Sequence, residues 1–247
     1  MNTLEQNQKL ISELLAKERY NFDDLCQVVS VLRGEGGCPW DIEQTHHSIR
    51  TGMIEECYEV VEAIDKEDAV LLREELGDVL LQLVFHADIE KDAGVFDMQD
   101  VAHDECIKMI HRHPHVFGTV QADTSEEILK NWEIIKSEEK QRVSLTDKLR
   151  SIPPILPALM RASKVIKKTE YAQGLERAAL IAQIKAHLDQ LAGDETAQMS
   201  QIGALLMDVT ALCRDVGVDA EEALSHATDD MIEEQAKKEA QQDENIG

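Results

Sequence analysis

The sequence predicts an all-α protein made of two tandem helical modules, and three observations lead there. Glycine (12) and proline (5) are sparse among 247 residues, and aromatic residues make up only 4%. Leu, Ala, Glu, Ile and Lys, the residues of helices rather than sheets, are plentiful. Apolar positions recur with helical spacing in blocks separated by one glycine-rich and one proline-rich break. A short pattern in the first half also returns in the second, which marks a duplication.

Helical periodicity runs from about Leu4 to Leu32 and stops at Gly34-Glu35-Gly36-Gly37-Cys38-Pro39, which forces a loop. Further helices are expected over roughly 48–65, 68–91, 97–112 and 125–141, enough for a four-helix bundle. Three of the five prolines fall in Ser151-Ile152-Pro153-Pro154-Ile155-Leu156-Pro157. Proline fixes φ and removes a backbone donor, so the domain boundary is placed here, giving modules of residues 1–150 and 151–247. Helices are expected again at about 158–168, 176–192, 197–215 and 219–241, with a frayed polar tail from Gln241 to Gly247.

The formal charge is −24, with 25 basic and 49 acidic residues. Such a surface opposes a nucleic-acid backbone. The five cysteines (Cys26, Cys38, Cys57, Cys106, Cys213) form no C-x-x-C pair, and the expectation is reduced thiols in the cytoplasm. Neither a signal peptide nor a membrane span is expected.

Chemistry concentrates in two acidic groups. On the helix over 48–65, Glu55, Glu56 and Glu59 share one arc, opposite an apolar arc of Ile54, Cys57, Val60, Val61 and Ile64. For that helix alone a solvated acidic face is the commoner arrangement. The next helix changes the balance. Leu76, Val79, Leu80, Leu81, Leu83, Val84, Phe85 and Ala87 cover most of its circumference, so it is expected to be buried nearly all round. Its polar stripe is Glu75, Asp78, Gln82 and His86. Buried carboxylates repel one another unless cations or strong hydrogen bonds hold them. Set against the acidic arc, the stripe yields oxygen ligands suited to Mg²⁺, which takes carboxylates and shares its remaining positions with phosphates. A di-iron centre is the competing metal, but Glu43-Gln44-Thr45-His46, with the required spacing, is expected to lie in a loop.

Lys108 and Arg112 share a helix face, as do Trp132 and Lys136. Either basic residue could pair with a neighbouring acid such as Asp104 or Glu105, and Trp132 could belong to the core. His111, His113 and His115 flank Pro114 and are read as structural residues at a helix end. His103-Asp104 has no matching ligand set for a phosphohydrolase of the HD type.

Glu55-Glu56-x-x-Glu59 followed by Glu75-x-x-Asp78, preceded by Gly37-Cys38-Pro39-Trp40-Asp41-x-x-Gln44-Thr45 and followed by His113-Pro114-His115-Val116-Phe117, resembles the N-terminal module of MazG proteins over residues 30–140. The resemblance implies the all-α nucleoside triphosphate pyrophosphatase fold, Mg²⁺ dependence, a homodimer, and conversion of nucleoside triphosphates to monophosphates and pyrophosphate. It makes Glu56, Glu59, Glu75 and Asp78 the metal ligands and Glu55 the base. Lys108 and Arg112 become phosphate contacts, Lys136 a further one, and Trp132 or, less directly, Trp40 the base contact. Aligning Gly203 with Gly77 puts Gln201 and Ala204 where Glu75 and Asp78 stand, and a looser, separate alignment upstream puts Ala186, His187 and Gln190 where Glu55, Glu56 and Glu59 stand. The second module is therefore expected to be inactive. The alternative from a different class is a helical interaction or nucleotide-sensing protein on a decayed scaffold.

Overall fold

The computed structural model describes residues 3–122, 124–139, 144–169, 171, 174–191 and 195–246. Every regular element among them is an α-helix. The chain forms two compact units, residues 1–129 and 130–247.

In the first unit, the periodicity from Leu4 to Leu32 resolves into two helices, α1 (Thr3–Leu15) and α2 (Phe22–Arg33). The break is set by a capping box: Asn21 accepts from the Asp24 backbone N–H, and the Asp24 carboxylate accepts from that of Asn21. Asp24 is buried and also paired with Lys17, whose ammonium, together with the Asn21 backbone, holds the Asp24 carboxyl below its ordinary range. A hydrophobic period continues through such a break, so periodicity alone passes over it.

After α2 the glycine-rich loop folds back on the helix end. The Gly37 N–H donates to the Gly34 carbonyl (2.9 Å) and the Cys38 N–H to that of Leu32 (2.8 Å). A Cβ on Gly37 would sit 2.3 Å from the Leu32 oxygen and 2.4 Å from that of Val31. The expected loop then holds a helical turn, α3 (Pro39–Glu43), with Pro39 at its first position.

A long helical hairpin follows, α4 (His46–Asp65) and α5 (Ala69–Asp92), joined by Lys66-Glu67-Asp68 with Glu67 at φ +52°. Thr45 and Ser48 cap α4 reciprocally, and Asp68 caps α5. The unit continues with α6 (Met98–Arg112), α7 (Pro114–Phe117) and α8 (Ser125–Glu139); the sequence border between the units falls within α8. Val29 of α2, Ile49 of α4 and Val84 and Phe85 of α5 make the core. Arg33 fastens α2 and α3 to α5. Its guanidinium donates to Asp88 and Asp92 (3.0 Å each) and to the Asp41 carbonyl (3.1 Å), and lies 5.6 Å from the Phe85 ring centroid.

One expectation is corrected. α5 is not buried nearly all round: Val84, Phe85 and Ala87 are buried, Val79, Leu80 and Leu81 are half-buried, and Leu76 (52%) and Leu83 are exposed, as are Ile54, Tyr58, Val61 and Ile64 on α4. The two helices meet through their polar sides instead, so much of their apolar surface faces outward.

The second unit holds α9 (Leu145–Arg150), α10 (Ala158–Lys168), α11 (Arg177–Asp189), α12 (Glu195–Asp215) and α13 (Ala220–Ile246). The proline-rich segment 151–157 lies inside this unit. Its core joins Ile166 of α10, Leu180 of α11 and Ala211 of α12, the same trio of positions as Val29, Ile49 and Phe85. The duplication seen in sequence is thus a repeated three-helix core. The tail expected to fray remains helical to Ile246, there being no glycine or proline before Gly247 to stop it. No helix among the described residues is long and apolar enough to cross a membrane.

Two glycines respond oppositely to a methyl group. Gly37→Ala drives a Cβ into two carbonyls and is expected to cost roughly 1–3 kcal/mol. Gly203, inside α12 with nothing within 4 Å of its would-be Cβ, is expected to gain about 0.5–1 kcal/mol as alanine. Denaturant midpoints of the two variants should move in opposite directions.

Candidate functional site

The α4–α5 hairpin fixes which side chains meet, because residues equally far from its turn stand opposite each other. Carboxylate oxygens of Glu56, Glu75 and Asp78 lie within 4.8 Å of one another, and Glu59 is within hydrogen-bonding reach of both Glu56 and Glu75. Farther along, a Cβ on Gly52 would lie 3.2 Å from the Gln82 amide nitrogen. At the open end the His46 and His86 rings stack with centroids 5.0 Å apart and Nδ1 atoms 2.7 Å apart, while His46 Nε2 reaches Glu90 at 2.7 Å. All four members of the polar stripe therefore face α4.

Partial burial pushes the Glu56 carboxyl up, and Glu59, Asp78 and Glu75 push it further. Partial burial likewise raises Glu75, followed by the charges of Glu59, Asp78 and Glu74. Among the described residues no Lys or Arg is ion-paired with Glu56, Glu75 or Asp78. These are hard oxygen donors from two rigid helices, and their mutual repulsion is what a divalent cation would relieve, so the donor set fits Mg²⁺ chemistry. Glu55 is exposed on α4, one residue before Glu56 and outside the three-carboxylate group.

The histidine cluster was not legible as a unit. Glu43 ends α3 and His46 begins α4, so of the Glu43–His46 stretch Gln44 and Thr45 form the expected loop and its two ends are helical. His46 turns to His86 and Glu90. Burial, then His46, lowers the His86 pKa and favours its neutral ring. The signal lay in the hairpin register: once Glu56 opposes Asp78, positions 46 and 86 meet near the far end.

The cationic candidates divide between the units. On α6, Lys108 is ion-paired with Glu105, the local acid that sequence offered as the alternative, and Arg112 is 8% exposed. In the second unit the Lys136 ammonium lies 4.3 Å from the Trp132 ring centroid, so these two do share a helix face. Trp40 is 64% exposed on α3, its carbonyl accepting from the Gln44 side chain at 2.8 Å. His113 ends α6, its ring 2.6 Å from the Met109 carbonyl, in keeping with a structural role.

In the second unit the corresponding surface has been rebuilt. With Leu180 in the place of Ile49, His187 falls where Glu56 stands and Gln183 where Gly52 does. With Gly203 in the place of Gly77, Asp208 falls where Gln82 stands. Asp208 is fully buried. It accepts from the Tyr171 hydroxyl and from Gln183 (3.1 Å), and its other oxygen lies 2.8 Å from His187 Nδ1, off the hydrogen-bonding direction. Burial, then Asp208, pushes the Tyr171 hydroxyl up to about 12.

Residues 44–117 match the family model described as the MazG nucleotide pyrophosphohydrolase domain. The chain is 37% identical over 222 residues to a Thermotoga maritima protein named nucleoside triphosphate pyrophosphohydrolase/pyrophosphatase MazG, covering 88% of this chain and 85% of that one. It is 38% identical over 218 residues to the Escherichia coli K12 nucleoside triphosphate pyrophosphohydrolase, covering 84% and 82%. It is also 48% identical over 148 residues to the uncharacterized protein YabN of Bacillus subtilis, covering 60% of this chain but 30% of that longer protein.

The carboxylate group makes a stability prediction. A raised folded pKa means that the native chain keeps protons the unfolded chain has released, so stability falls as pH rises from the ordinary carboxylate range through the raised values. At neutral pH without divalent cations the group is a net penalty. Glu59→Gln removes a charge that acts on both Glu56 and Glu75. Thermal melts in EDTA should show this variant more stable than the parent at pH 7, with the gap closing toward pH 4; a less stable variant at pH 7 would refute the electrostatic account.

Proposed function

Since the chain belongs to the MazG family of nucleotide pyrophosphohydrolases, we propose that it hydrolyses nucleoside triphosphates to nucleoside monophosphates and pyrophosphate in a Mg²⁺-dependent reaction. The observation that carries this reading is the meeting of Glu56, Glu75 and Asp78 within 4.8 Å, with Glu59 in reach, inside the matched region.

In this proposal Glu56, Glu59, Glu75 and Asp78 hold the cation. When bound, Mg²⁺ supplies charge neutralisation at the phosphate oxygens, which lowers the barrier to attack at phosphorus. Water attacks the α-phosphorus, a new P–O bond forms, and the bond to the bridging oxygen breaks so that pyrophosphate leaves with its electron pair. Glu55 takes the proton from the attacking water. Its position outside the cation-holding group supports this role, because a carboxylate not committed to a cation keeps its basicity.

Lys108 and Arg112 hold the departing phosphates. The Lys108–Glu105 pair is a partly exposed i,i+3 contact worth at most about 1 kcal/mol, so a polyphosphate can displace it. Trp132 stacks on the base with Lys136 as a further phosphate contact, and Trp40 is the second candidate for the base.

Two whole-chain proposals follow. The uncovered apolar residues of α4 and α5 support a homodimer that buries Ile54, Tyr58, Val61, Ile64, Leu76 and Leu83 against a second copy. The division of labour is residues 1–150 as catalytic module and 151–247 as inactive module, supported by the loss of every aligned carboxylate ligand from the latter. It also leaves the sensing or interaction reading applicable to that half alone.

Asp78→Asn in the full chain is expected to lower Mg²⁺-dependent pyrophosphate release at least about a thousandfold while leaving the helical circular dichroism unchanged. Residual activity at a tenth of the parent rate would place working chemistry elsewhere. Sedimentation equilibrium should return twice the chain mass for the parent, and a monomer for Val61→Glu combined with Leu83→Glu. A parent that sediments as a monomer would remove the dimer.

A further inference from the structure

The second unit contains a cavity of about 500 Å³ lined by Trp132, Lys136, Lys148, Lys164, Lys167 and Lys168 together with Ser151 and apolar residues of the proline-rich segment. Among the described residues that line it, five of ten are lysines and none is acidic, in a chain with 25 basic and 49 acidic residues. Composition alone would put one basic residue there. Its volume falls within the roughly 300–1,000 Å³ of small-molecule sites.

Helix ends explain part of the arrangement. Lys148 lies in the last turn of α9, and Lys167 and Lys168 in that of α10, where a cation gains about 0.3–1 kcal/mol from the helix dipole. Lys136 likewise lies in the last turn of α8, so helix ends leave Lys164 and the convergence of three helices on one cavity unaccounted for. Lys148 is half-buried, and Lys148, Lys164 and Lys167 form no ion pair among the described residues. The ammonium groups of Lys148, Lys164 and Lys167 on one cavity repel one another, and a multivalent anion relieves that repulsion. The cavity has the opposite character to the carboxylate group of the first unit, which needs a cation before it can hold phosphate.

We propose that this lysine cavity is an oligophosphate-binding site in its own right, taking a chain of phosphates such as that of a nucleoside triphosphate or an inorganic polyphosphate without any divalent cation. The Trp132 ring at its margin offers a face to a base if the phosphates belong to a nucleotide. The cavity shares Trp132 and Lys136 with the hydrolytic reading, but Lys148, Lys164 and Lys167 have no part in that reaction, and binding without a divalent cation keeps the two readings distinguishable.

The test is isothermal titration of the full-length protein in EDTA with inorganic tripolyphosphate, and with ATP in a parallel arm. One saturable site per chain is expected, with affinity falling as salt is raised. Lys164→Gln with Lys167→Gln, both exposed and so harmless to folding, should weaken binding at least about tenfold. Glu56→Gln with Asp78→Asn, which abolishes the cation group, should leave it unchanged. Equal affinity for the two ligands assigns the site to the phosphate chain alone, and tighter ATP binding that is lost in Trp132→Ala assigns it to a nucleotide; either supports the site. Absence of saturable binding in EDTA, or full affinity in the double lysine variant, would overturn it.

Discussion

The structure of the first unit depends on holding like charges together. Glu56, Glu59, Glu75 and Asp78 would fly apart on mobile loops, and here two helices joined by a three-residue turn leave them no such freedom. The polar stripe of α5 is clamped against α4 along most of the hairpin, from the carboxylates through Gln82 to the His46–His86–Glu90 cluster. That last cluster is hydrogen-bonded without any added ion and ties the open end of the hairpin. The repulsion is therefore carried by backbone rigidity, which is the preorganisation a hard cation needs, since its ligands are in place before it arrives.

Rigidity in turn depends on how the hairpin is anchored. The buried Arg33 side chain collects Asp88, Asp92 and the Asp41 carbonyl, so the far end of α5, the end of α2 and the short α3 form one block. Burial raises the Asp88 carboxyl and the Asp92 charge raises it further, while Arg33 opposes both. Removing the arginine would leave a buried carboxylate without its main partner, a far larger loss than that of a surface pair. The same guanidinium fixes the carbonyl next to Trp40, which links the glycine-rich loop to the hairpin.

Helix content and the duplication were legible because helical period and helix formers are local properties. Most boundaries after residue 45 lie within a few residues of their expected positions. The α1–α2 break was missed because the apolar period runs through it; the Asn21–Asp24 capping box was its signal. The carboxylate group was legible from the mismatch between acidic stripe and apolar surroundings, although that argument assumed more burial than one chain provides. Leu76 and Leu83 look like core residues in sequence and stand exposed, because a pattern records that a surface is covered and not whether the cover comes from the same chain. Arg33–Asp88 and His46–His86 were illegible for a plainer reason: they join residues far apart in sequence, and only the packed helices bring them together.

The two units carry different polar groups at the aligned positions of the hairpin. At the place of Glu56 the second unit carries His187, at that of Gln82 it carries Asp208, and at that of Gly52 it carries Gln183. Four repelling carboxylates have been exchanged for one buried carboxylate surrounded by a phenol, an amide and an imidazole. Asp208 draws the Tyr171 hydroxyl and the Gln183 amide from within the chain, while its second oxygen and His187 Nδ1 find no hydrogen-bond partner among the described residues. In the first unit burial, then the neighbouring acids, raise the Glu56 and Glu75 carboxyls instead. A buried, unpaired Asp208 would be prohibitive, so its donors must have been in place before, or together with, the aspartate. The second unit thus carries a three-helix core of its own, with a buried carboxylate held by a phenol and an amide, whereas the first unit sets four acids against one another.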